Sequence, residues 1–260
     1  MAESARFEAL GYGFRVHGPD AFVAAAEATL ADLRKPGGND TRYDVDGDGT
    51  LTLLGGTIAT EAPLTALVQD VNLKAATTAT LLTVHAGVVA YGGDALLLPG
   101  SSGSSKTTLT AALVGDGASY VSDEFAALDR ATMRLRPYPK PLGIKAGSQG
   151  VLAHLRPPDT TWTGETWLVR ADDIRPSAVA RVPTRPAALV FPRYEPGAGA
   201  RLEPLTRGAA LVELARNVTN LGDAGDDVLD VLADVVRGCV PYRLAQDDLP
   251  RAVAAVRSVL

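Results

Sequence analysis

Ala95-Leu96-Leu97-Leu98-Pro99-Gly100-Ser101-Ser102-Gly103-Ser104-Ser105-Lys106-Thr107-Thr108 decides how this chain folds. A short apolar run of buried-strand type leads into a glycine- and serine-rich loop, a Lys-Thr pair and a helical pattern reaching Val114. Phosphate chemistry requires that order of strand, Gly-rich loop, lysine, hydroxyl and helix. Gly100 and Gly103 let the backbone wrap closely around phosphates, and loop N–H groups at a helix N-terminus point at anionic oxygens. Lys106 is spaced to reach the β- and γ-phosphates, and Thr107 to put its hydroxyl on Mg²⁺. The expected contacts to a purine nucleoside triphosphate are therefore Gly100, Ser101, Ser102, Gly103, Ser104, Ser105, Lys106, Thr107 and Thr108. Ser105 stands where the motif has glycine, and a Cβ there demands a strained backbone.

Ser119-Tyr120-Val121-Ser122-Asp123-Glu124 follows as a short strand closed by two acids. A helix from Lys106 to about Gly115 carries the chain roughly 15 Å from the loop at 1.5 Å per residue. The strand returns it at about 3.3 Å per residue. The carboxylates thus arrive at the carboxyl edge of the sheet, where open α/β sheets bind ligands. Adjacent acids point in different directions, so one can hold Mg²⁺ while the other faces an attacking hydroxyl as general base. Asp129 reads as a turn residue.

Outward from this core, residues 20–34 repeat apolar positions at helical spacing and end at Pro36-Gly37-Gly38. Thr41–Val45 and Thr50–Leu54 read as strands joined by Asp46-Gly47-Asp48-Gly49, and Pro63–Thr77 as a second helix. Leu81–Val84, Val88–Tyr91 and Ala95–Leu98 read as separate buried strands. Segment 137–200 alternates strands, Glu165–Arg170 and Ala187–Phe191, with long loops. Arg207–Val218, Asp226–Arg237 and Leu249–Leu260 carry helical periodicity. The expected division is a small α+β module at 1–79, an α/β core at 80–200 and a helical region at 201–260.

Composition excludes several classes. With 46% hydrophobic and 21% charged residues, the 260-residue chain reads as globular and not as a disordered or fibrous one. The net charge of −5 argues against a nucleic-acid partner, and arginines at 130–136 and 156–193 read as solvated surface. The one cysteine, Cys239, excludes an internal disulfide framework and fits a reducing compartment. Residues 1–10 resemble no signal or transit peptide, and no apolar run approaches the roughly 18 residues of a membrane span. The expectation is a soluble cytoplasmic protein without a membrane partner, with a homo-oligomer left open.

Val84-His85-Ala86-Gly87, Leu97 to Thr108 and Tyr120-Val121-Ser122-Asp123-Glu124 together are similar to the catalytic core of HPr serine kinase/phosphorylase and its divergent HPr-kinase-like relatives. The likeness covers about residues 82–145, and a looser one extends through Trp162-Thr163-Gly164-Glu165 and Tyr242-Arg243-Leu244. It implies an α/β P-loop kinase core of the HPr-kinase type, with a small N-terminal α+β module and a C-terminal helical region. The resemblance puts His85 near the acceptor, Asp123 on the transferred proton and Glu124 on metal with Thr107 and Asp123, while Lys106 neutralises developing charge. From the residues alone, His85 reads as a buried strand-end histidine held by backbone hydrogen bonds. Pro137 to Lys145 looks like the proline-flanked basic segment of the relatives, in which Lys140 or Lys145 would contact phosphate oxygens or an acidic substrate.

The activity implied is ATP- and Mg²⁺-dependent transfer of a γ-phosphoryl group to a serine or threonine hydroxyl of a protein or peptide, for example a biosynthetic precursor peptide. No segment like Glu-Ile-Arg-Gly follows the core. That departure, with Ser105, leaves a nucleotide-binding regulator or slow ATPase as the alternative, and behind it a partner-binding module that lost its nucleotide. Other signals are weaker. Asp44-Val45-Asp46-Gly47-Asp48-Gly49 opens like a calcium loop, but Gly55 stands at the twelfth position, so a hairpin turn is expected. Asn217-Val218-Thr219 matches a glycosylation acceptor by chance, and His17 and His154 are isolated.

Overall fold

The strand Asp94–Pro99 and the helix Lys106–Gly115 form where the apolar run and the Lys-Thr pair place them, with the glycine- and serine-rich loop between. The computed structural model describes every residue except Asp48, Leu54, Gly55, Ser102, Ala224 and Leu260. The fold is mixed α/β, and the chain divides into two compact units, 1–79 with 140–173, and 80–139 with 174–260.

The second unit carries the loop. Among the described residues its sheet has eight strands, in the order Arg134–Arg136, Phe125–Asp129, Leu82–Tyr91, Asp94–Pro99, Arg185–Tyr194, Val240–Gln246, Ala200–Pro204. Ser119–Ser122 pairs with the far half of Leu82–Tyr91. Leu82–Tyr91 runs antiparallel to both Asp94–Pro99 and Ser119–Ser122. Two antiparallel steps leave those two strands pointing the same way, so the loop after Pro99 and the acids after Ser122 emerge at one edge. Asp94–Pro99 is also parallel to Arg185–Tyr194, which is parallel to Val240–Gln246.

Alternation along the strands divides the faces. Val84, Ala86, Val88, Ala95, Leu97 and Leu189 pack with Leu214, Leu232 and Val235 of the helices Arg207–Ala215 and Val228–Gly238. Each fully buried aliphatic side chain in this layer contributes roughly 1.5–3 kcal/mol. The opposite face receives Lys106–Gly115: a Cβ on Gly87 would come within 2.4 Å of Thr110 Oγ1, so the helix lies directly against the strand. Arg175 closes that helix, donating from Nε to Val114 O at 3.1 Å and from Nη2 to Ala118 O at 2.8 Å. Leu249–Arg257 lies beside it, Arg257 Nη1 donating to Asp116 Oδ2 at 3.1 Å.

The first unit is α+β. Among the described residues its six-stranded sheet runs from Ala2–Glu3 through Tyr12–Gly18, Thr41–Val45 and Thr50–Leu53 to Gly56–Ala59, with Phe7–Ala9 on Tyr12–Gly18. Asp20–Thr29 and Pro63–Thr78 are its long helices. Segment 140–173 adds the antiparallel pair Leu142–Ile144 and Trp167–Val169. It is tied in by an edge-on Phe22–Trp162 contact at 5.2 Å, by Leu64 N–H donating to Trp162 O at 3.0 Å and by Arg170 Nε donating to Asp32 Oδ2 at 3.0 Å.

Several elements differ from the sequence expectations. Leu81–Val84 and Val88–Tyr91 belong to one ten-residue strand, Leu82–Tyr91, because Gly87 marks a close approach and not a break. The region after residue 200 is not purely helical: Ala200–Pro204 and Val240–Gln246 are strands of the main sheet. Pro241 and Arg243 hide the apolar alternation of the latter. Segment 140–173 groups with the N-terminal module, and residues 201–260 group with the loop. The calcium-like segment is a hairpin turn, Asp46 N–H bonding Thr50 O at 2.9 Å, while Asp48 and Gly55 lie outside the described residues.

Candidate phosphate-binding site

Among the described residues of the loop, two are left-handed. Gly103 has φ 86° and Ser105 φ 67°, on either side of Ser104. Such reversals turn backbone N–H groups into a concave surface that suits an anion, and here they feed a ten-residue helix whose N-terminus carries partial positive charge. Ser105 is the cap of that helix, and its carbonyl accepts the Leu109 N–H at 2.9 Å. Serine therefore adopts the conformation for which the motif uses glycine, at a cost of roughly 1–2 kcal/mol. A Cβ on Gly100 would meet Ser104 Oγ at 2.7 Å and Ser104 Cβ at 3.2 Å, so a larger residue here would force Ser104 to shift. Ser104 N–H donates to Ser101 O at 3.3 Å, and Gly100 N–H donates to His85 O at 3.4 Å.

Lys106 is buried, only 6% exposed, and folds back over the loop so that Nζ donates to Ser101 O at 2.8 Å. Ser104 Oγ is buried with no hydrogen-bond partner among the described residues. A buried orphan hydroxyl normally costs about 1–3 kcal/mol, and a ligand oxygen at this position would offset that cost. Thr108 is buried in the first turn of the helix. Ser102 lies outside the described residues.

Asp123 is 5% exposed, and both of its oxygens accept hydrogen bonds. Thr107 Oγ1 donates to Oδ2 at 3.2 Å, and Tyr120 Oη donates to Oδ1 at 2.8 Å. Ser122 Oγ accepts the N–H groups of Glu124 and Phe125, each at 3.1 Å, which bends the chain just where the acids sit. Beyond the bend, Phe125 pairs with His85 and the Ala86 N–H donates to Glu124 O at 3.1 Å. His85 Nδ1 lies 3.5 Å from Glu124 Oε1, and both side chains remain partly exposed. The His85 backbone N–H donates to Asn217 O at 2.7 Å. Burial lowers the His85 pKa below 6.5, with the Lys106 charge adding to the effect, while Glu124 and Asp123 oppose it.

The sheet register thus brings the loop, Lys106, Thr107, His85, Asp123 and Glu124 to one edge of one unit. Lys140 and Lys145 belong to the other unit, where Lys140 is buried with Nζ donating to Pro141 O at 3.1 Å and Lys145 is exposed. Among the described residues no group of three or more His, Cys, Asp and Glu side chains is placed to hold a metal ion. A divalent cation at this edge would rest on the Thr107 hydroxyl, a carboxylate and the ligand's own oxygens.

The sequence reading passed over Tyr120 and Ser122. Their signal was the Tyr-x-Ser-Asp spacing itself, which sets a phenol and a hydroxyl within reach of the following turn. His17 pairs with Asp44 at 2.9 Å, and Asn217 Nδ2 caps its own helix on Glu213 O at 2.8 Å. No protein-family model matches the chain, and no curated protein matches it.

Proposed function

We propose that the chain is a nucleoside-triphosphate-dependent phosphotransferase of the HPr-kinase-like type, taking a serine or threonine hydroxyl of a protein or peptide as acceptor. The observation that carries this reading is the Lys106–Ser101 and Thr107–Asp123 pair of contacts around a loop in which Gly103 and Ser105 are left-handed. The Ser104 hydroxyl, without a partner among the described residues, and the closely packed Gly100 fit a phosphate chain in that loop.

The geometry favours a division of labour between the two acids that differs from the one the resemblance implied. Asp123, buried beside the Thr107 hydroxyl, is the carboxylate suited to a Mg²⁺ ion, which when bound neutralises charge on phosphate oxygens. Glu124, partly exposed and next to His85, is suited to take the proton of the attacking hydroxyl. As the acceptor oxygen bonds to the γ-phosphorus, the bond to the β–γ bridging oxygen breaks and the nucleoside diphosphate leaves, while the proton passes to Glu124 or, through it, to the neutral His85. Lys106 meets the charge that collects on the leaving oxygens.

Titration with ATP and phosphopeptide formation on a serine/threonine peptide library test this. Glu124→Gln should keep Mg²⁺·ATP affinity and lose about 10²–10⁴-fold in transfer, whereas Asp123→Asn should lose the Mg²⁺ dependence of binding. Wild-type transfer by Glu124→Gln would remove its assigned role, and failure of the wild type to bind Mg²⁺·ATP would remove the whole reading.

A further inference from the structure

Tyr120 is fully buried, and its phenol oxygen is shared between two atoms of one residue. It donates to Asp123 Oδ1 at 2.8 Å and accepts the Asp123 backbone N–H at 3.1 Å. Its own backbone is fixed from the opposite side: Tyr120 N–H donates to Ala178 O at 2.7 Å, and Ala180 N–H donates to Tyr120 O at 2.8 Å. Ring, backbone and hydroxyl are all held, so the phenol has no room to swing away from the carboxylate. One acid oxygen is thereby occupied by a neutral donor, and the other is left turned to the Thr107 hydroxyl.

We propose that Tyr120 is a positioning residue for a divalent cation: by occupying Oδ1 of Asp123 it presents Oδ2, together with the Thr107 hydroxyl, to the metal of a metal–nucleotide complex. This rests on the nucleotide reading above. It assigns to Tyr120 what hydrogen-bond partners of metal ligands commonly do, fixing the orientation of the ligating oxygen at a value of about 10–100-fold in metal affinity.

The test is calorimetric titration of ATP into the full-length wild type and Tyr120→Phe, with excess Mg²⁺ and again with EDTA. Phenylalanine keeps the ring and removes only the hydroxyl. The expected result is a loss of about 10–100-fold in affinity with Mg²⁺ and wild-type affinity in EDTA. The double variant Tyr120→Phe with Asp123→Asn should lose no more than Asp123→Asn alone. Equal losses with and without Mg²⁺, unchanged Mg²⁺-dependent affinity or additive losses in the double variant would each overturn the proposal. Should Tyr120→Phe prove too unstable to titrate, replacing tyrosine throughout by 3-fluorotyrosine alters the phenol's donor strength and should change affinity only with Mg²⁺; no change would overturn it. Absence of ATP binding by the wild type in both conditions removes the nucleotide reading and this proposal with it.

Discussion

Ser105 shows how one side chain can carry a conformational cost in a loop that still leads into its helix. Its left-handed φ of 67° costs roughly 1–2 kcal/mol for a residue with a Cβ, while glycine loses roughly 0.5–1 kcal/mol through unfolded-state entropy. Ser105→Gly should therefore stabilise the protein by about 0.5–1 kcal/mol, read from urea midpoints; a destabilised variant would mean that the serine side chain makes a compensating contact. His85 sets a pH dependence of definite sign. Its folded pKa lies below 6.5, so as pH falls through that value the unfolded chain takes up a proton that the native protein resists. Stability attributable to this residue is whole above pH 6.5 and declines below it, down to the lowered native pKa. Urea unfolding at about pH 7.5 and 5.5 should show a smaller loss for His85→Gln than for the wild type, and an equal loss would place the titration elsewhere.

Among elements, the helix Lys106–Gly115 and the strand Leu82–Tyr91 define the site by how closely they approach. Gly87 permits the contact, since a Cβ there would lie 2.4 Å from Thr110 Oγ1, a hydroxyl that is itself buried without a hydrogen-bond partner among the described residues. Gly87→Ala should cost about 1–3 kcal/mol through overpacking, and most of that cost should vanish in a Thr110→Ala background. Additive costs by thermal unfolding would show that the two elements are not in register as described. The same contact explains what the sequence could and could not show. Ser119–Ser122 and the helix beginning at Pro63 were legible because glycines, a proline and clean periodicity bound them. Gly87 looked like a strand break, since the sequence does not reveal that a helix must pass over it. Val240–Gln246 was missed because Pro241 and Arg243 interrupt its apolar pattern, and its strand character comes from pairing with Arg185–Tyr194, far away in sequence. Of the candidate site, the loop and the acids were readable from spacing; the partition of Asp123 to Thr107 and Glu124 to His85 depends on the pairing of Phe125–Asp129 with Leu82–Tyr91, which spacing does not encode.

On the scale of the whole molecule, each unit builds its own sheet and core, and neither is a single stretch of sequence. No described helix is long and apolar enough to cross a membrane. The residues proposed to hold phosphate all lie in the unit 80–139 with 174–260, so ligand binding there should be felt as added stability of that unit's fold. The most direct measurement is thermal unfolding of the wild type and Lys106→Ala with and without ATP and Mg²⁺. At ligand concentrations about 100 times the dissociation constant, the wild type should gain roughly 2.7 kcal/mol and the variant little. No gain in the wild type, or an equal gain in Lys106→Ala, would contradict a nucleotide site at residues 100–107.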